Sequence, residues 1–390
     1  MATGHIRKNE LKSGKASYSF IVETEADLET GKRQRIYKTF KTKKEAEKAM
    51  QETMAKINNH SFVKDSKITV KAFLLEWLEV YIKPHMSPTT TDSYVTQVEK
   101  YIIPALGNKK LQDLKTVDIQ KFYNQLKEKS PLSGKPLSAK TIKNIHMNLQ
   151  AALDKAVEDE IITKNPAKKV ELQKAKKYQA DVYNMEDILE VFKAAKDTDL
   201  ELAIHILLLL GLRRGELLAL RWVNVDFQNG YVNIVENAVR IGKSGKTLIK
   251  APKSESGVRK IQVPSSLLKM MKKSRAEYWQ NRMKHGKDFN DTDLVVCQEN
   301  GSPYTVGYFS QKVQRFIKRN GLKKVRLHDY RHTCATQMLR LGISPKVAQK
   351  QLGHSSFGIT MDTYSHVLEE MELEAADIME RAIYSNALSG

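Results

Sequence analysis

The sequence predicts a multidomain protein: a small β-sheet with a helix, then an all-α domain, then a mainly helical α+β domain. The chain has 390 residues, too many for one ordinary core and suited to two or three domains. Strand-like runs occur within residues 1–65, helical periodicity covers 67–173, and 181–390 mixes both patterns. These three ranges are the domains that we expect.

Residues 1–65 predict two strands and a helix. The strand-like runs are 17–22 and 34–40, joined by a short turn. Thr42 begins the helix, because Thr42 and Glu45 match a capping box in which each side chain accepts a hydrogen bond from a backbone N–H group. Four basic residues around the turn form an N-terminal basic cluster: Lys32, Arg33, Arg35 and Lys38. This cluster indicates either a solvated hairpin or a DNA contact, and the segment alone favours neither.

Residues 67–173 predict a group of helices. The apolar residues of the first helix follow the i, i+3, i+4, i+7 spacing of one buried face: Val70, Phe73, Leu74, Trp77, Leu78, Tyr81 and Ile82. Pro84 and Pro88 are expected to end that helix, because proline has no N–H to donate. Further helices are expected at 90–103, 117–129 and 139–159. A lysine-rich stretch at 164–177, which contains Pro166, predicts an exposed linker.

Residues 181–390 predict a domain of mixed secondary structure. Asn184 is expected to cap its first helix, since Asp187 follows three residues later near the positive end of the helix dipole. The predicted elements are helices at 187–210 and 214–220, strands near 231–240, 247–250 and 259–263, and helices to the end of the chain.

The charge of the chain indicates a polyanionic partner. A formal net charge of +20 and a pI near 9.6 attract anions, so nucleic acid or a membrane surface is the expected partner. No apolar run approaches the roughly 20 residues of a spanning helix, even at 204–210, and no signal peptide is recognisable, so we expect no membrane. Cys297 and Cys334 are too few for a disulfide framework or a four-cysteine zinc site, which fits a reducing cytoplasm.

The motif G-L-R-R-G-E at 211–216 places an arginine three residues before a glutamate. Arg213 and Glu216 would therefore share one helical face. A guanidinium that a carboxylate anchors can present its other donors to a phosphate in bidentate fashion, as lysine cannot. Alone, such a pair is more often a surface ion pair.

Two motifs nearer the C-terminus carry further candidates. H-D-Y-R-H places His328 and Arg331 one helical turn apart, where histidine can move a proton and arginine supplies a fixed charge. L-G-H-S-S contains His354, and Tyr364 follows ten residues later. A phenol titrates near about pH 10, so a nucleophilic tyrosine needs a base and cations beside it. Taken singly, His328 would be a surface histidine and Tyr364 a packing residue.

The loop between the last two predicted strands carries Lys253. Most lysines at such tips are solvated, but a lysine here could donate a proton to a leaving oxygen. Three neighbours leave the choice of lysine open: Lys243, Lys246 and Lys250.

Together these motifs resemble the tyrosine recombinase family of phage integrases, over the whole chain. The shared features are G-L-R-x-G-E, a hairpin lysine before S-G-x-R, H-D-Y-R-H-T, L-G-H-S-S and D-T-Y-S-H, in that order. The resemblance implies the following roles: Tyr364 attacks as the nucleophile, Arg213 and Arg331 clamp the scissile phosphate, Lys253 protonates the leaving 5′ oxygen, His354 binds a non-bridging oxygen, His328 assists proton transfer at Tyr364, and Glu216 organises the site.

The activity that the resemblance implies is site-specific recombination. The chain would cleave and rejoin DNA through a 3′-phosphotyrosyl intermediate, and so integrate or excise a mobile element such as a prophage. Cationic side chains can stabilise the transition state of phosphoryl transfer, so neither a metal ion nor another cofactor is expected. The sequence agrees, since it shows no carboxylate cluster with two-metal spacing and no G-x-x-x-x-G-K-[ST] loop for ATP.

The resemblance also assigns domains and partners. Residues 1–65 would bind arm-type DNA sites through the N-terminal basic cluster, 67–173 would be a SAM-like core-binding domain, and 181–390 the catalytic domain. The implied partners are double-stranded DNA at core and arm sites, three further subunits in a homotetramer on DNA, and DNA-bending and directionality proteins, at the nucleoid in the bacterial cytoplasm. An amphipathic stretch at 368–383 would dock on a neighbouring subunit or pack on its own domain.

Two other classes of protein fit parts of the sequence. A DNA-binding regulator would use residues 335–353 as a helix-turn-helix, and it would not need Tyr364 as a nucleophile. An RNA-binding protein would need stacking aromatic residues in its sheet, and Tyr231 offers little of that.

Overall fold

The computed structural model describes residues 3–10, 16–26, 33–58, 66–174, 180–242, 246–251 and 257–353. The chain divides into two compact units, Met1–Lys176 and Lys177–Gly390. The division into three domains remains a prediction. Within the described residues, no helix combines the length and the apolarity needed to cross a bilayer.

The first unit begins with an antiparallel sheet that one helix covers. Its elements are β1 (Thr3–Glu10), β2 (Ala16–Ala26), β3 (Arg33–Phe40) and α1 (Lys43–Asn58), with the strands in the order β1-β2-β3. Phe20 and Val22 of the central strand are fully buried. Strand β1 was not predicted, because Ile6 is the one large apolar residue in it.

The start of α1 confirms the predicted capping box. The Thr42 N–H donates to Glu45 Oε2 and the Glu45 N–H donates to Thr42 Oγ1, both over 3.3 Å. These two bonds satisfy backbone donors that the helix itself leaves without partners.

The rest of the first unit is helical, as predicted. Its helices are α2 (Val70–Trp77) with a π-helical continuation (Leu78–Ile82), α3 (Pro88–Gln97) with a second one (Val98–Ile102), α4 (Ile103–Leu106), α5 (Thr116–Glu128) and α6 (Ala139–Glu158). The predicted face of the first helix is buried, except that Tyr81 is half-buried. The prediction for Pro88 is wrong, since this residue opens α3, where its missing N–H costs no hydrogen bond.

The predicted linker at 164–177 is wrong for its first part. Residues Pro166–Lys169 form a 3₁₀ turn on the helical core, and Ala167 is fully buried. Asn165 anchors this turn by accepting from the Ala167 N–H over 2.8 Å and donating to the Gln150 carbonyl over 3.0 Å. The apolar residues between the lysines hold this segment on the core, whereas residues 175–177 lie outside the described residues.

The second unit combines helices with short strands. Its elements are α7 (Met185–Ala195), α8 (Glu201–Leu210), α9 (Arg214–Ala219), β4 (Val225–Asp226), β5 (Tyr231–Ile234), β6 (Asn237–Ile241), β7 (Lys246–Lys250), β8 (Arg259–Gln262), α10 (Ser265–His285), α11 (Val306–Arg319), α12 (Asp329–Arg340) and α13 (Pro345–Leu352). Strands β4, β5 and β8 form one sheet, and β6 pairs with β7 in another.

Two predicted elements of the second unit are each divided in the structure. The helix expected at 187–210 is interrupted after α7, and Asp197 in the interruption has a φ of +58°. The strand expected at 231–240 is two strands that belong to different sheets. The predicted cap is confirmed, because the Asp187 N–H donates to Asn184 Oδ1 over 2.7 Å.

Helix α12 is fixed inside the second unit. Tyr330 and Ala335 are fully buried. The Tyr183 N–H donates to Thr333 Oγ1 over 3.1 Å, and Gln337 Nε2 donates to the Tyr183 carbonyl over 2.9 Å. The residues suggested as a helix-turn-helix, 335–353, include the end of α12 and all of α13, and α12 serves as a core helix.

Candidate active site

Gly211 joins α8 to the loop that carries Arg213. It ends α8 in the left-handed conformation, with a φ of +65°. A Cβ atom at this position would lie 2.5 Å from Leu352 Cδ2 and 3.1 Å from Cys334 Sγ. Glycine is therefore required here both by the backbone conformation and by the close approach of α12 and α13.

Arg213 and Glu216 form a fixed pair at the start of α9, but the prediction of a shared helical face is wrong, because Arg213 is the extended residue that precedes the helix. The Arg213 N–H donates to Glu216 Oε2 over 2.9 Å, and Arg213 Nη1 donates to Glu216 Oε1 over 2.7 Å. The Glu216 side chain is 4% exposed and the Arg213 side chain 38%. This is not the surface ion pair of the alternative interpretation, because the carboxylate is buried while the guanidinium reaches solvent.

Arg259 is a second arginine that binds the same carboxylate, and it is not among the site residues predicted from the sequence. Its Nη2 and Nη1 donate to Glu216 Oε2 and Oε1 over 2.8 and 3.1 Å. Burial opposes ionisation of the Glu216 carboxyl, but Arg259 and then Arg213 outweigh burial and hold its pKa below the usual value. The signal available in the sequence was its position as the arginine of S-G-x-R, one of the motifs that carry the family resemblance.

His328 and Arg331 lie at the start of α12, as predicted. Arg331 is 3% exposed, and its Nη1 donates to the Gly211 carbonyl over 3.0 Å. His328 is exposed to solvent. The protein around its ring removes part of its hydration, and this partial desolvation, and next the charge of Arg331, lower the pKa of His328, which favours the neutral imidazole that can accept a proton. His328 and Arg213 line a cleft of about 420 Å³, together with Asn237 and Arg240.

The end of α13 brings three arginines together. Arg259 Nε donates to the Gln351 carbonyl over 2.7 Å, Arg331 Nη2 donates to the Leu352 carbonyl, and Arg213 Nη2 donates to the Gly353 carbonyl over 3.1 Å. A helix leaves its last carbonyls without partners and carries partial negative charge there, so cationic donors stabilise this end. We call Arg213, Arg259 and Arg331 the arginine cluster. It holds the backbone immediately before His354 in the sequence.

The structure brings four of the predicted site residues into one region: Arg213, Glu216, His328 and Arg331. The other catalytic candidates lie outside the described residues: Lys253, His354 and Tyr364. The amphipathic stretch 368–383 lies outside them as well. Among the residues described, no group of three or more His, Cys, Asp or Glu side chains is placed to hold a metal ion. The expectation of metal-independent chemistry remains a prediction.

The N-terminal basic cluster is described only in part. Arg35 Nε donates to Glu23 Oε1 across the β2-β3 pair over 2.7 Å, and its side chain is 74% exposed. Lys38 lies further along β3. Lys32 and the side chain of Arg33 are outside the described residues.

Three protein-family models match the chain. They are the phage integrase family at residues 180–371, the phage integrase N-terminal SAM-like domain at 69–127, and the Arm DNA-binding domain at 5–57. Among curated relatives, the chain is 28% identical over 390 residues to a tyrosine recombinase XerC-like protein of Caldanaerobacter subterraneus, covering 96% of this chain and 98% of the relative. It is 27% identical to the ICEBs1 integrase of Bacillus subtilis, covering 73% of this chain and 77% of that protein.

Solved structures with a similar fold are integrases bound to DNA. The Tn1549 transposon integrase in complex with transposon right end DNA matches with a TM-score of 0.65 and 25% identity, covering 79% of this chain and 100% of that one. A lambda integrase tetramer bound to a Holliday junction matches with a TM-score of 0.57 and 19% identity, covering 92% of this chain and 94% of that one. The match to lambda integrase, at 19% identity, shows a shared fold and nothing more.

Proposed function

We propose that this chain, which belongs to the phage integrase family of tyrosine recombinases, cleaves and rejoins DNA at specific sites with Tyr364 as the nucleophile. The observation that carries the proposal is the arginine cluster around the buried Glu216 carboxylate, beside His328 and immediately before His354 in the sequence. Phosphoryl transfer depends on positioning and on stabilising the charge of the phosphate oxygens, and fixed cations supply both.

Arg213 is the phosphate ligand that the geometry supports best. Its backbone N–H and Nη1 are held by Glu216, which fixes the plane of the guanidinium, and the side chain faces the cleft that His328 also lines. A carboxylate on one side of a guanidinium leaves its outer side oriented towards an anion. Arg331 contributes the second positive charge from the buried side.

The proton transfers are assigned to the remaining candidates. His328, whose pKa is lowered by partial desolvation and by Arg331, would take the proton of Tyr364 as the phenol attacks the phosphorus. The leaving 5′ oxygen would take a proton from Lys253, and His354 would donate to a non-bridging oxygen. The result is a 3′-phosphotyrosyl ester, which a free 5′ hydroxyl of another strand can attack to complete the exchange.

The other parts of the chain would bind DNA outside the cleavage site. We assign residues 1–65 to arm-type sites, with the N-terminal basic cluster as its contacts, 67–173 to core sites, and 181–390 to catalysis. Arg35 supports this assignment, because its pairing with Glu23 leaves most of the side chain exposed on the sheet. A tetramer on paired DNA sites, with DNA-bending and directionality proteins, would act at the nucleoid in the bacterial cytoplasm to move a prophage or another mobile element.

A covalent adduct assay tests the proposal. Purified protein is incubated with a nicked DNA substrate that carries its recombination site, in EDTA and without ATP, and we expect a protein–DNA adduct that survives denaturation. Tyr364→Phe should abolish this adduct and leave DNA binding intact, whereas Tyr384→Phe, a nearby tyrosine outside the motif, should behave like the wild type. An adduct formed by Tyr364→Phe, or a requirement for magnesium, would refute the mechanism.

A further inference from the structure

We propose that Arg259 is a positioning residue for strand cleavage: it joins Glu216 to the end of α13, and so fixes Arg213 and the backbone before His354 relative to each other. This inference rests on the proposed function. Arg259 itself is buried and is not expected to touch DNA.

One guanidinium connects three segments of the second unit. Arg259 is the first residue of β8 and lies six residues after Lys253 in the sequence. It donates through Nη1 and Nη2 to Glu216 of α9, and through Nε to the Gln351 carbonyl at the end of α13. Because a guanidinium is planar and rigid, these bonds define the distance between the two helices more closely than a flexible side chain would.

The hydrogen bonds of Glu216 show how the two arginines depend on each other. Its Oε1 accepts from Arg213 Nη1 over 2.7 Å and from Arg259 Nη1 over 3.1 Å. Its Oε2 accepts from the Arg213 N–H over 2.9 Å and from Arg259 Nη2 over 2.8 Å. Each carboxylate oxygen therefore accepts one hydrogen bond from each arginine. Arg259 in this way fixes the orientation of the carboxylate that Arg213 binds.

Stability alone does not explain a buried ion pair at this position. Removing two charges from water costs free energy that their attraction often fails to recover, and apolar residues of the same volume commonly stabilise a core better. The side chains of Arg259 and Glu216 are 5% and 4% exposed. A positioning role gives a reason for keeping the pair that packing does not.

Glu216 is surrounded by cations and backbone dipoles. Arg213 faces it from the residue before α9 and Arg259 faces it from β8, while the end of α13 presents backbone carbonyls that the arginine cluster binds. Helix α12 contributes Arg331 to the same helix end, and His328 lies at the start of α12. Without Arg259, Arg213 would be the remaining direct ion-pair partner of the Glu216 carboxyl among the described residues, so burial would raise the pKa of that carboxyl.

The test measures the rate of adduct formation as a function of pH in variants of Arg259. Arg259→Met removes the charge and the hydrogen bonds but keeps an unbranched apolar side chain in place of the arginine stem. Adduct formation at neutral pH should fall about tenfold or more, with DNA affinity within about twofold of the wild type. The rate should rise in part as pH increases and Glu216 ionises. The fall in rate at low pH, which we call the acid limb, should therefore begin at a higher pH than in the wild type. Adding Glu216→Gln to this variant should return the acid limb to its wild-type position, because no carboxyl group then titrates at this place.

Arg221 offers a matched control within the same unit. Its Nε donates to Glu236 Oε2 and its Nη1 to the Thr292 carbonyl, each over 2.7 Å, so it also joins a glutamate to a backbone carbonyl. We expect Arg221→Met to lower stability without moving the acid limb. A wild-type acid limb in Arg259→Met, or an equal shift in Arg221→Met, would overturn the inference.

Arg259→Lys decides the question if Arg259→Met does not fold. Lysine keeps the charge, so the acid limb should stay where it is in the wild type, but its single ammonium cannot reproduce the bidentate contact, and adduct formation should slow several-fold. A wild-type rate in Arg259→Lys would overturn the inference. Failure of the proposed function is distinguishable, because then the wild-type chain itself forms no adduct.

Discussion

Gly211→Ala is the substitution whose effect the structure defines most closely. Two separate costs apply. An alanine held at the φ of +65° costs roughly 1–2 kcal/mol, because the left-handed conformation brings Cβ against the backbone. The new Cβ would also lie 2.5 Å from Leu352 Cδ2, and such overpacking costs about 1–3 kcal/mol as the neighbours move.

Gly321→Ala is the matched control for the backbone cost. Gly321 has a φ of +63°, and a Cβ there would meet no atom within 4 Å. The difference between the two variants therefore isolates the close approach of α13, and we expect Gly211→Ala to be less stable by about 1–3 kcal/mol. Thermal unfolding measures this, since about 1 kcal/mol shifts the midpoint by roughly 2–4 °C in a unit of this size.

The same pair of variants should differ in activity. Displacement of Leu352 moves the helix end that the arginine cluster binds, so Gly211→Ala should slow adduct formation while Gly321→Ala does not. Equal midpoints and equal rates for the two variants would refute the close packing of Gly211 against α13.

Three further predictions concern charge. Glu216→Gln should slow adduct formation about tenfold or more by weakening the hold on Arg213, whereas Glu236→Gln should not; equal rates in both would contradict the role of Glu216. Since the pKa of His328 is lowered, adduct formation by the wild type should decline only as pH falls below the usual histidine range, and His328→Asn should be slower and lack that decline; a retained decline would assign it to another group. Alanine at each position of the N-terminal basic cluster should make the slope of log affinity against log salt concentration shallower by about 1 for arm-site DNA, without changing core-site binding. Titrations at several salt concentrations measure this slope, and an unchanged slope would show that the residue does not contact DNA.

The motifs of the second unit were predictable because each one satisfies a local physical requirement. Gly211 ends a helix, Arg213 and Glu216 lie one turn apart, and His328 and Arg331 share the first turn of α12. Spacing along the chain determines these relationships, so the sequence alone could predict them. Their convergence was predictable only through the resemblance to a known family.

The contacts that assemble the site depend on distant segments and were not predictable from spacing. Arg259 reaches Glu216 across 43 positions and the Gln351 carbonyl across 92. No periodicity records such contacts, because they follow from how β8 and α13 pack. The same reason applies to the turn at Pro166–Lys169, whose lysines suggested a linker while the side chains of Ala167 and Asn165 hold it on the core.

The identity of the residue that carries the DNA is the most direct test of the account. The protein would be allowed to form an adduct with a nicked substrate, digested with protease and nuclease, and analysed by mass spectrometry for the modified peptide. We predict a nucleotide joined through its 3′ phosphate to the phenolic oxygen of Tyr364. A nucleotide on a serine, on another tyrosine, or joined through a 5′ phosphate would contradict it.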